Sequence, residues 1–203
     1  MNKLVIIGAS GHGKVIADIA EKNGYKDIVF LDDNPEAKQC GKYGVVGNSS
    51  QAENYRDADF FVALGNSKIR RKIQAELTEK QMSVVSLIHP SAVIADSVKV
   101  GEGTVVAAGA VINPYAEIGK GCIINTCASV DHDCNIGDFV HISVGSHVAG
   151  TVVIKENTWI GAGAVVSNNI EITADCMIGA GAVVVENIKE QGTYIGVPAR
   201  KQK

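Results

Sequence analysis

A branched apolar residue recurs at every sixth position of this chain from Ile88 to Val184. A period of six matches neither the 3.6 residues of a helical turn nor the two-residue alternation of a simple strand. It predicts a supersecondary unit that repeats and buries the same position each time, which is a hexapeptide β-solenoid. The rungs of this ladder are Ile88, Ile94, Val100, Val106, Ile112, Ile118, Ile124, Val130, Ile136, Ile142, Val148, Ile154, Ile160, Val166, Ile172, Ile178 and Val184.

The residue four positions after most rungs is small, as at Ala110, Cys122 and Ala164. A small residue near each corner, beside an inward-pointing branched one, lets a narrow prism close around a packed core. Three hexads, eighteen residues, would make one coil. Glycine and asparagine residues between the rungs predict turns with positive φ, among them Gly101, Gly103, Gly119, Gly121, Asn135, Gly137, Gly161, Gly163, Gly179 and Gly181.

Composition excludes several classes of function. The formal net charge of -3 offers no basic surface for nucleic acid. The apolar run at residues 4–7 is too short for a signal peptide or a membrane-spanning helix, so we expect a soluble cytoplasmic protein without membrane insertion. The five cysteines form no C-x-x-C pair, and three occupy the small solenoid position, which favours core filling. Because no His, Asp, Glu or Cys trio has metal-ligand spacing, no metal is predicted.

The residues before the ladder follow a different pattern. Residues 4–7 predict a buried strand, residues 14–22 a helix, and residues 28–31 a second strand, which together form a βαβ opening. The first helix is predicted to bury Val15, Ile16 and Ile19, and a second helix, after a strand at residues 60–64, to bury Ile69, Ile73 and Leu77. The sequence therefore predicts a Rossmann-like α/β domain over residues 1–82 and an all-β solenoid over residues 83–203.

A glycine-rich loop, residues 8–13, lies between the first strand and the first helix. Backbone N–H groups and the helix dipole at such a place favour phosphate. Its spacing is G-x-x-G-x-G rather than the G-x-G-x-x-G of dinucleotide-binding folds, which weakens the case for NAD. Asp32 and Asp33 end the second strand, where a ribose or base edge is read in such folds. The residues leave two interpretations open, a nucleotide site or a tight turn with solvated carboxylates.

His132 interrupts the repeat and lies between two carboxylates, Asp131 and Asp133. One coil before and after it stand Pro114 and Gly150, so this histidine is not part of a repeating ladder. An imidazole with a carboxylate on one nitrogen has its tautomer fixed and its other nitrogen free to accept a proton. A general base and a hydrated corner histidine both fit this pattern.

Two further histidines, His141 and His147, stand directly before rungs. The pattern leaves open whether each faces outward toward a ligand or packs in a subunit interface. Packing is favoured for His147. His89, which precedes Pro90, is predicted to be a turn residue.

Three motifs together resemble one family. They are the loop at residues 8–13 with Asp32 and Asp33, the segment around His132 following Asn125, and the terminal Gly-Val-Pro-Ala-Arg at residues 196–200. The chain resembles, over its whole length, the hexapeptide-repeat acyltransferases with a nucleotide-sugar domain in front. Within them it is similar to the UDP-4-amino-sugar N-acetyltransferases of bacterial glycan biosynthesis, and to their relatives, the sialic acid O-acetyltransferases.

The resemblance implies a left-handed parallel β-helix and a homotrimer that binds acetyl-CoA in the groove between neighbouring solenoids. It implies that His132 takes a proton from the sugar amine, with Asp133 or Asp131 orienting it, and that Asn125 and His141 lie near the acceptor and the acetyl group. It implies CoA contacts from Gly150, Gly179, Ala180, Gly181, Pro198, Arg200, Lys201 and Lys203. The residues it implies for the UDP part are Ser10, Gly11, His12, Gly13, Asp32, Asp33, Gly65 and Asn66.

Other functions compete with N-acetylation. A sialic acid O-acetyltransferase would use the same base and the same groove, but the phosphate loop favours a nucleotide-linked acceptor. An NAD-binding oxidoreductase is disfavoured by the loop spacing. A purely structural solenoid would repeat its outward residues, whereas three histidines interrupt one short region of this chain.

Overall fold

The computed structural model describes residues 3–202 and divides the chain into two compact units, residues 1–88 and 89–203. The sequence placed the domain boundary near residues 80–88, and the first unit ends at residue 88. Ser83–Val84 adds a parallel strand beside Asp59–Val62 of the first sheet.

The first unit is an α/β structure. Its elements are β1 (Leu4–Ile7), α1 (Gly11–Lys22), β2 (Ile28–Leu31), β3 (Gln39–Cys40), β4 (Tyr43–Gly47), a 3-10 helix (Ser49–Tyr55), β5 (Asp59–Val62), α2 (Ser67–Glu79), β6 (Ser83–Val84) and β7 (Leu87–Ile88). Six of the strands form one sheet in the order β3-β4-β2-β1-β5-β6, parallel except for the β3–β4 pair. The chain leaves β1 toward β2 and later returns on its other side with β5. The carboxyl ends of β1 and β5 therefore form a topological switch point, where open α/β sheets bind ligands.

The predicted buried faces of the two helices are partly correct, since Ile16, Ile19 and Leu77 are buried. Helix α1 begins three residues earlier than predicted, at Gly11, and Val15 on it is 40% exposed. On α2, Ile69 is 50% exposed, whereas Arg70 and Gln74 are buried. Leu77 is buried as predicted and Ile73 packs against the core, so the spacing by four was correct for part of the buried stripe, which Arg70 and Gln74 complete. In residues 3–202, neither helix is long and apolar enough to cross a membrane.

The second unit is a three-sided parallel solenoid. Its first face contains Val105–Val106, Ile123–Ile124, His141–Ile142, Trp159–Ile160, Met177–Ile178, Thr193–Ile195 and, antiparallel to this last strand, Arg200–Lys201. The second face contains Val93–Ile94, Val111–Ile112, Ser129–Val130, His147–Val148, Val165–Val166 and Val183–Val184. The third face contains Lys99–Val100, Glu117–Ile118, Asn135–Ile136, Val153–Ile154 and Glu171–Ile172.

The strands stack in register at an offset of one coil, as Ile124 on Ile142 and Ile142 on Ile160. From Val106 onward the rungs are buried and pack with the small corner residues in one core. Cys122, Cys134 and Cys176 belong to that core, as predicted. The first rung, Ile88, is instead 39% exposed. The predicted combination of an α/β domain with a parallel β-solenoid is confirmed.

The predicted role of the turn glycines is only half correct. Gly103, Gly121, Gly163 and Gly181 have positive φ, as expected. A second set is required by close approach of the next coil instead, since a Cβ on Gly101 would lie 2.5 Å from the carbonyl carbon of Gly119. The same crowding applies at Gly119, Gly137, Gly161 and Gly179, and Asn135 lies in a strand.

Candidate active site

His132 stands at a corner of the solenoid, directly after the second-face strand Ser129–Val130. Its Nδ1 lies 2.8 Å from Oδ2 of Asp133. Asp133 holds a φ of 56°, a left-handed conformation that Asp tolerates better than most residues. The hydrogen bond to the Asp133 carboxylate raises the pKa of His132 above 6.5, since it favours the imidazolium. The dyad therefore leaves Nε2 as the nitrogen that can exchange a proton with a substrate.

Asp131 has a different role from the one that the sequence allowed. Its Oδ1 accepts hydrogen bonds from Nδ2 of Asn113, at 2.7 Å, and from the backbone N–H of His132, at 2.8 Å. The Asn113 amide, followed by this N–H, lowers the pKa of the Asp131 carboxyl. Asp131 fixes the backbone under the histidine, whereas Asp133 contacts the ring. In this geometry Asp133, not Asp131, contacts the ring, and the sequence analysis did not identify Asn113.

Gly150 lies one coil beyond His132 and, because it has no side chain, leaves the space that the imidazole occupies. Thr151 donates its backbone N–H to the His132 carbonyl at 2.9 Å, which sets the register of the two coils. A Cβ added to Gly150 would lie 2.5 Å from Nε2 of His132 and 2.7 Å from its Cε1. The ring therefore occupies the space that any side chain at position 150 would fill.

Asn125 and His141 form a second polar group, beside the strand Ile123–Ile124 of the first face. The Asn125 Oδ1 accepts the backbone N–H of Thr126 at 2.8 Å, so its amide nitrogen faces Nε2 of His141 at 3.2 Å. An amide nitrogen only donates, and Nε2 of His141 must therefore accept. In this pairing the Asn125 amide orients the imidazole of His141.

His141 is not an outward surface residue, since it is only 9% exposed. Its ring stacks on Trp159, with ring centroids 4.8 Å apart and an interplanar angle of 24°. The indole Nε1 in turn donates to Oγ of Ser143 at 2.6 Å. Trp159 and Ser143 were not predicted as site residues, although Trp159 stands one coil from His141 in the sequence. These contacts hold the His141 ring in a fixed orientation.

The two polar groups do not meet within one chain. Asn125 follows a strand of the first face, whereas His132 follows a strand of the second face. We call residues 125–127 the Asn125 corner and residues 131–133 the His132 corner. They lie on either side of the second face.

The residues predicted to contact CoA occupy three places. Gly150 lies at the His132 corner, while Gly179, Ala180 and Gly181 stand three coils beyond the Asn125 corner, after the first-face strand Met177–Ile178. Pro198, Arg200 and Lys201 belong to the terminal hairpin, where the Lys201 ammonium lies 2.8 Å from the Glu190 carboxylate. Lys203 lies outside the described residues. The structure thus groups these positions along two edges of the prism and at its end.

The glycine-rich loop and the two aspartates of the first unit are connected. Asp32 accepts the backbone N–H of Ala9 through Oδ2, at 2.6 Å, and that of Asn34 through Oδ1, at 2.8 Å. Asp33 accepts the N–H of Ser49 at 2.8 Å. A cleft of about 320 Å³ adjoins them and is lined by Asp32, Asp33, Asn34, Pro35, Ala37, Lys38, Val45, Gly47, Asn48 and Gln51. The aspartates therefore shape the loop and one wall of the cleft.

The glycines of these loops differ in why a side chain is absent. A Cβ on Gly13 would lie 2.3 Å from the Gly8 carbonyl oxygen, so Gly13 is needed for packing between loop and helix. Positions Gly11 and Gly65 have no atom within 4 Å of such a Cβ, which leaves open space above both loops. Ser10 is the N-cap of α1 without a side-chain capping hydrogen bond, while Asn66 caps α2 by accepting the Ile69 N–H at 3.1 Å.

His12 is a half-buried titratable group of this loop, with its Nε2 atom buried. Burial, followed by the charge of Arg70, lowers the pKa of His12 from 6.5 to about 4. Its imidazole is therefore neutral at physiological pH. Among residues 3–202, the buried Nε2 atom has no hydrogen-bond partner. Over the same residues, no group of three or more His, Cys, Asp or Glu side chains could hold a metal ion.

Comparison with known proteins follows this division into two units. Residues 3–77 match the family model described as the PglD N-terminal domain, and residues 151–185 match the bacterial transferase hexapeptide (six repeats). A curated relative, UDP-N-acetylbacillosamine N-acetyltransferase of Bacillus subtilis (strain 168), is 37% identical over 113 residues. The match covers 53% of this chain and 52% of that relative, so about half the length of each is matched.

Solved structures match over the full length. The acetyltransferase domain of PglB from Neisseria gonorrhoeae FA1090 is 40% identical, with a TM-score of 0.95 and 100% of both chains covered. PerB from Caulobacter crescentus, in complex with CoA and GDP-perosamine, is 37% identical, with a TM-score of 0.93 and coverage of 100% and 98%. The chain belongs to the hexapeptide-repeat acetyltransferases that carry a PglD N-terminal domain. The resemblance found in the sequence and the left-handed β-helix that it implied are confirmed.

Proposed function

We propose that the protein transfers an acetyl group from acetyl-CoA to the 4-amino group of a UDP-linked amino-deoxy sugar, in bacterial glycan biosynthesis. The observation that carries the proposal is the dyad of His132 and Asp133 at a solenoid corner, with Nε2 of the imidazole turned away from the carboxylate. The relatives support it, since one is an acetyltransferase of an amino sugar nucleotide and another binds CoA and GDP-perosamine. Acetyl-CoA is a cytoplasmic metabolite, and we therefore place the reaction in the cytoplasm.

The chemistry needs a base and correct positioning. The lone pair of the sugar amine attacks the thioester carbonyl, and Nε2 of His132 accepts the proton that the nitrogen loses. When the tetrahedral intermediate collapses, the carbon–sulfur bond breaks and the CoA thiolate takes that proton from the imidazolium. Asp133 stabilises the imidazolium through its hydrogen bond to Nδ1. Holding the two substrates in line supplies much of the remaining acceleration.

The second face is the best surface for a homotrimer. Its outward residues carry no formal charge apart from a histidine, and they are exposed or half-exposed, namely Val93, Val111, Ser129, His147, Val165 and Val183. The third face instead presents charged pairs such as Lys99 with Glu117, 2.6 Å apart. Apolar patches depleted of charge are typical of subunit interfaces.

A trimer built on this face would complete the site. If three prisms turn their second faces toward a common axis, the His132 corner of each meets the Asn125 corner of its neighbour. His132 of one subunit would then act beside Asn125 and His141 of the next, with acetyl-CoA in the groove between them. Gly150 and Gly179, Ala180 and Gly181 would border that groove from the two subunits, and Arg200, Lys201 and Pro198 would lie at its end.

The first unit would hold the nucleotide of the acceptor. The loop from Ser10 to Gly13 and the turn at Gly65 and Asn66 lie at the carboxyl ends of β1 and β5, where helix N-termini favour phosphate. Asp32 and Asp33 border the adjoining cleft, whose volume of about 320 Å³ suits a nucleobase or ribose.

Release of free thiol from acetyl-CoA tests the function. The purified protein is incubated with a UDP-4-amino-4,6-dideoxy-N-acetylglucosamine, with a sialic acid, or with serine as a control. We expect thiol release only with the UDP-linked amine. Release with sialic acid would instead favour O-acetylation, and no release with any acceptor would contradict the proposed substrate class.

A further inference from the structure

Arg70 is a buried cation that neither the predicted motifs nor the mechanism uses. It belongs to α2 and is only 1% exposed. Its Nη1 donates to the carbonyl oxygens of Leu64, at 2.7 Å, and Gly65, at 3.1 Å. Burying a guanidinium costs free energy, because the charge loses its hydration. We therefore expect Arg70 to stabilise the local structure or to contribute to ligand binding.

The contacts of Arg70 fix one side of the switch point. Leu64 and Gly65 connect β5 to α2, and Asn66 caps the helix directly after them. By donating to two successive carbonyl groups, the guanidinium holds the backbone of this connection in place. Space remains open beside Gly65, where a Cβ would meet no atom within 4 Å.

The charge of Arg70 also reaches the other side of the switch point. His12 lies in the first turn of α1, after β1, and Arg70 contributes to its lowered pKa. One buried cation therefore acts on both loops at the carboxyl ends of β1 and β5. A positive field between two helix N-termini suits a ligand with two adjacent anionic groups.

We propose that Arg70 is the positioning residue for the diphosphate of the nucleotide-sugar acceptor, acting through the Leu64–Gly65 carbonyls and through its buried charge. The inference rests on the proposed function and adds to it the group that makes the first unit selective for a diphosphate. Arg70 does not touch the reacting atoms. Its loss should affect acceptor binding and leave the transfer step unchanged.

The test compares two variants. Arg70→Met keeps much of the side-chain volume, and Arg70→Lys keeps the charge but loses the guanidinium group that donates to the two carbonyl oxygens. Gln74→Met is the matched control, since Gln74 is buried on the same helix one turn further from the loop. Calorimetry with UDP and with UMP measures binding, and steady-state kinetics separates the two substrates. Thermal denaturation of each variant reports the fraction that is folded.

We expect Arg70→Met to weaken UDP binding and raise the acceptor KM about 10- to 100-fold, the usual range for losing charge-assisted contacts. UMP, with a single phosphate, should lose less affinity. Arg70→Lys should recover part of the loss, while kcat, the acetyl-CoA KM and all constants of Gln74→Met stay within about twofold of the wild type.

Two results would overturn the inference. One is folded Arg70→Met or Arg70→Lys protein that binds UDP as the wild type does, and the other is an equal loss in Gln74→Met. If Arg70→Met does not fold, the Arg70→Lys measurement decides. If the wild type and the Arg70 variants alike bind UDP and acetylate the sugar, only the inference about Arg70 is contradicted. Wild-type protein that binds no nucleotide would sink the proposed function as well.

Discussion

The imidazole of His132 occupies the space above Gly150, so that a Cβ on this glycine would lie 2.5 Å from Nε2. The two residues are one coil apart and joined by the hydrogen bond from Thr151 to the His132 carbonyl. The backbone at Gly150 does not have positive φ, in contrast to many solenoid glycines. Its lack of a side chain therefore serves the position of the histidine rather than the turn.

Replacing Gly150 with alanine should displace the imidazole and spare the fold. We expect kcat to fall about 100-fold, since a displacement near 1 Å of a catalytic group has effects of that order. The melting temperature should change little, because the end of an exposed side chain can move. Gly44→Ala, where an added Cβ meets no atom within 4 Å, is the control for alanine itself. Unchanged kcat in Gly150→Ala would show that the ring position seen here does not matter for catalysis.

Asp133→Asn should change the pH dependence of turnover. The carboxylate raises the pKa of His132 above 6.5, and a general base works only when unprotonated, so wild-type kcat falls as pH drops through that raised value. Without the carboxylate, the acidic limb of the kcat profile should move to lower pH, while the plateau falls because the tautomer is no longer fixed. Asparagine tolerates the left-handed φ, which keeps the turn. A profile with an unmoved acidic limb would contradict the dyad.

Asp32→Ala should raise the acceptor KM about tenfold through the loop, because two backbone N–H groups lose their acceptor. The acetyl-CoA KM should stay as in the wild type, since the change lies in the first unit. Asp57→Ala, an exposed aspartate of that unit, is the control. An acceptor KM equal in Asp32→Ala and wild type would remove Asp32 from the nucleotide site.

Mixed subunits test whether the site is shared between copies. His132→Ala and Asn125→Ala proteins should each be inactive alone, as each lacks one corner of every site. Co-expressed in equal amounts with different tags, they should assemble at random, so that one site in each mixed trimer, and about a quarter of all sites in the mixture, combine an intact His132 with an intact Asn125. Activity near a quarter of the wild type is therefore expected in the purified mixture. No recovery would mean that each chain carries its own complete site or that no mixed trimer forms, and isolation by both tags in succession separates these two.

The sequence predicts the solenoid well because a buried rung every six residues has only one geometric solution. It predicts His132 because this residue breaks the repeat. It could not reveal that Asp133 rather than Asp131 contacts the ring, since both are adjacent in sequence and the turn conformation decides. The burial of Arg70 could not be predicted from the sequence for a different reason. An arginine in a helix is ordinarily solvated, and only the packing of α2 on the sheet buries it and leaves Ile69 exposed.

The product of the reaction tests the central claim most directly. Mass spectrometry with fragmentation is applied to a UDP-linked 4-amino sugar after incubation with acetyl-CoA and either wild-type protein or His132→Ala. We expect one acetyl group on the 4-amino nitrogen, and turnover about 10²- to 10⁴-fold slower for His132→Ala, the range for a lost general base. His89→Ala, in which a turn histidine is lost, should behave as the wild type. An acetyl group on a sugar oxygen, no acetylated product, or a His132→Ala protein as fast as the wild type would contradict it.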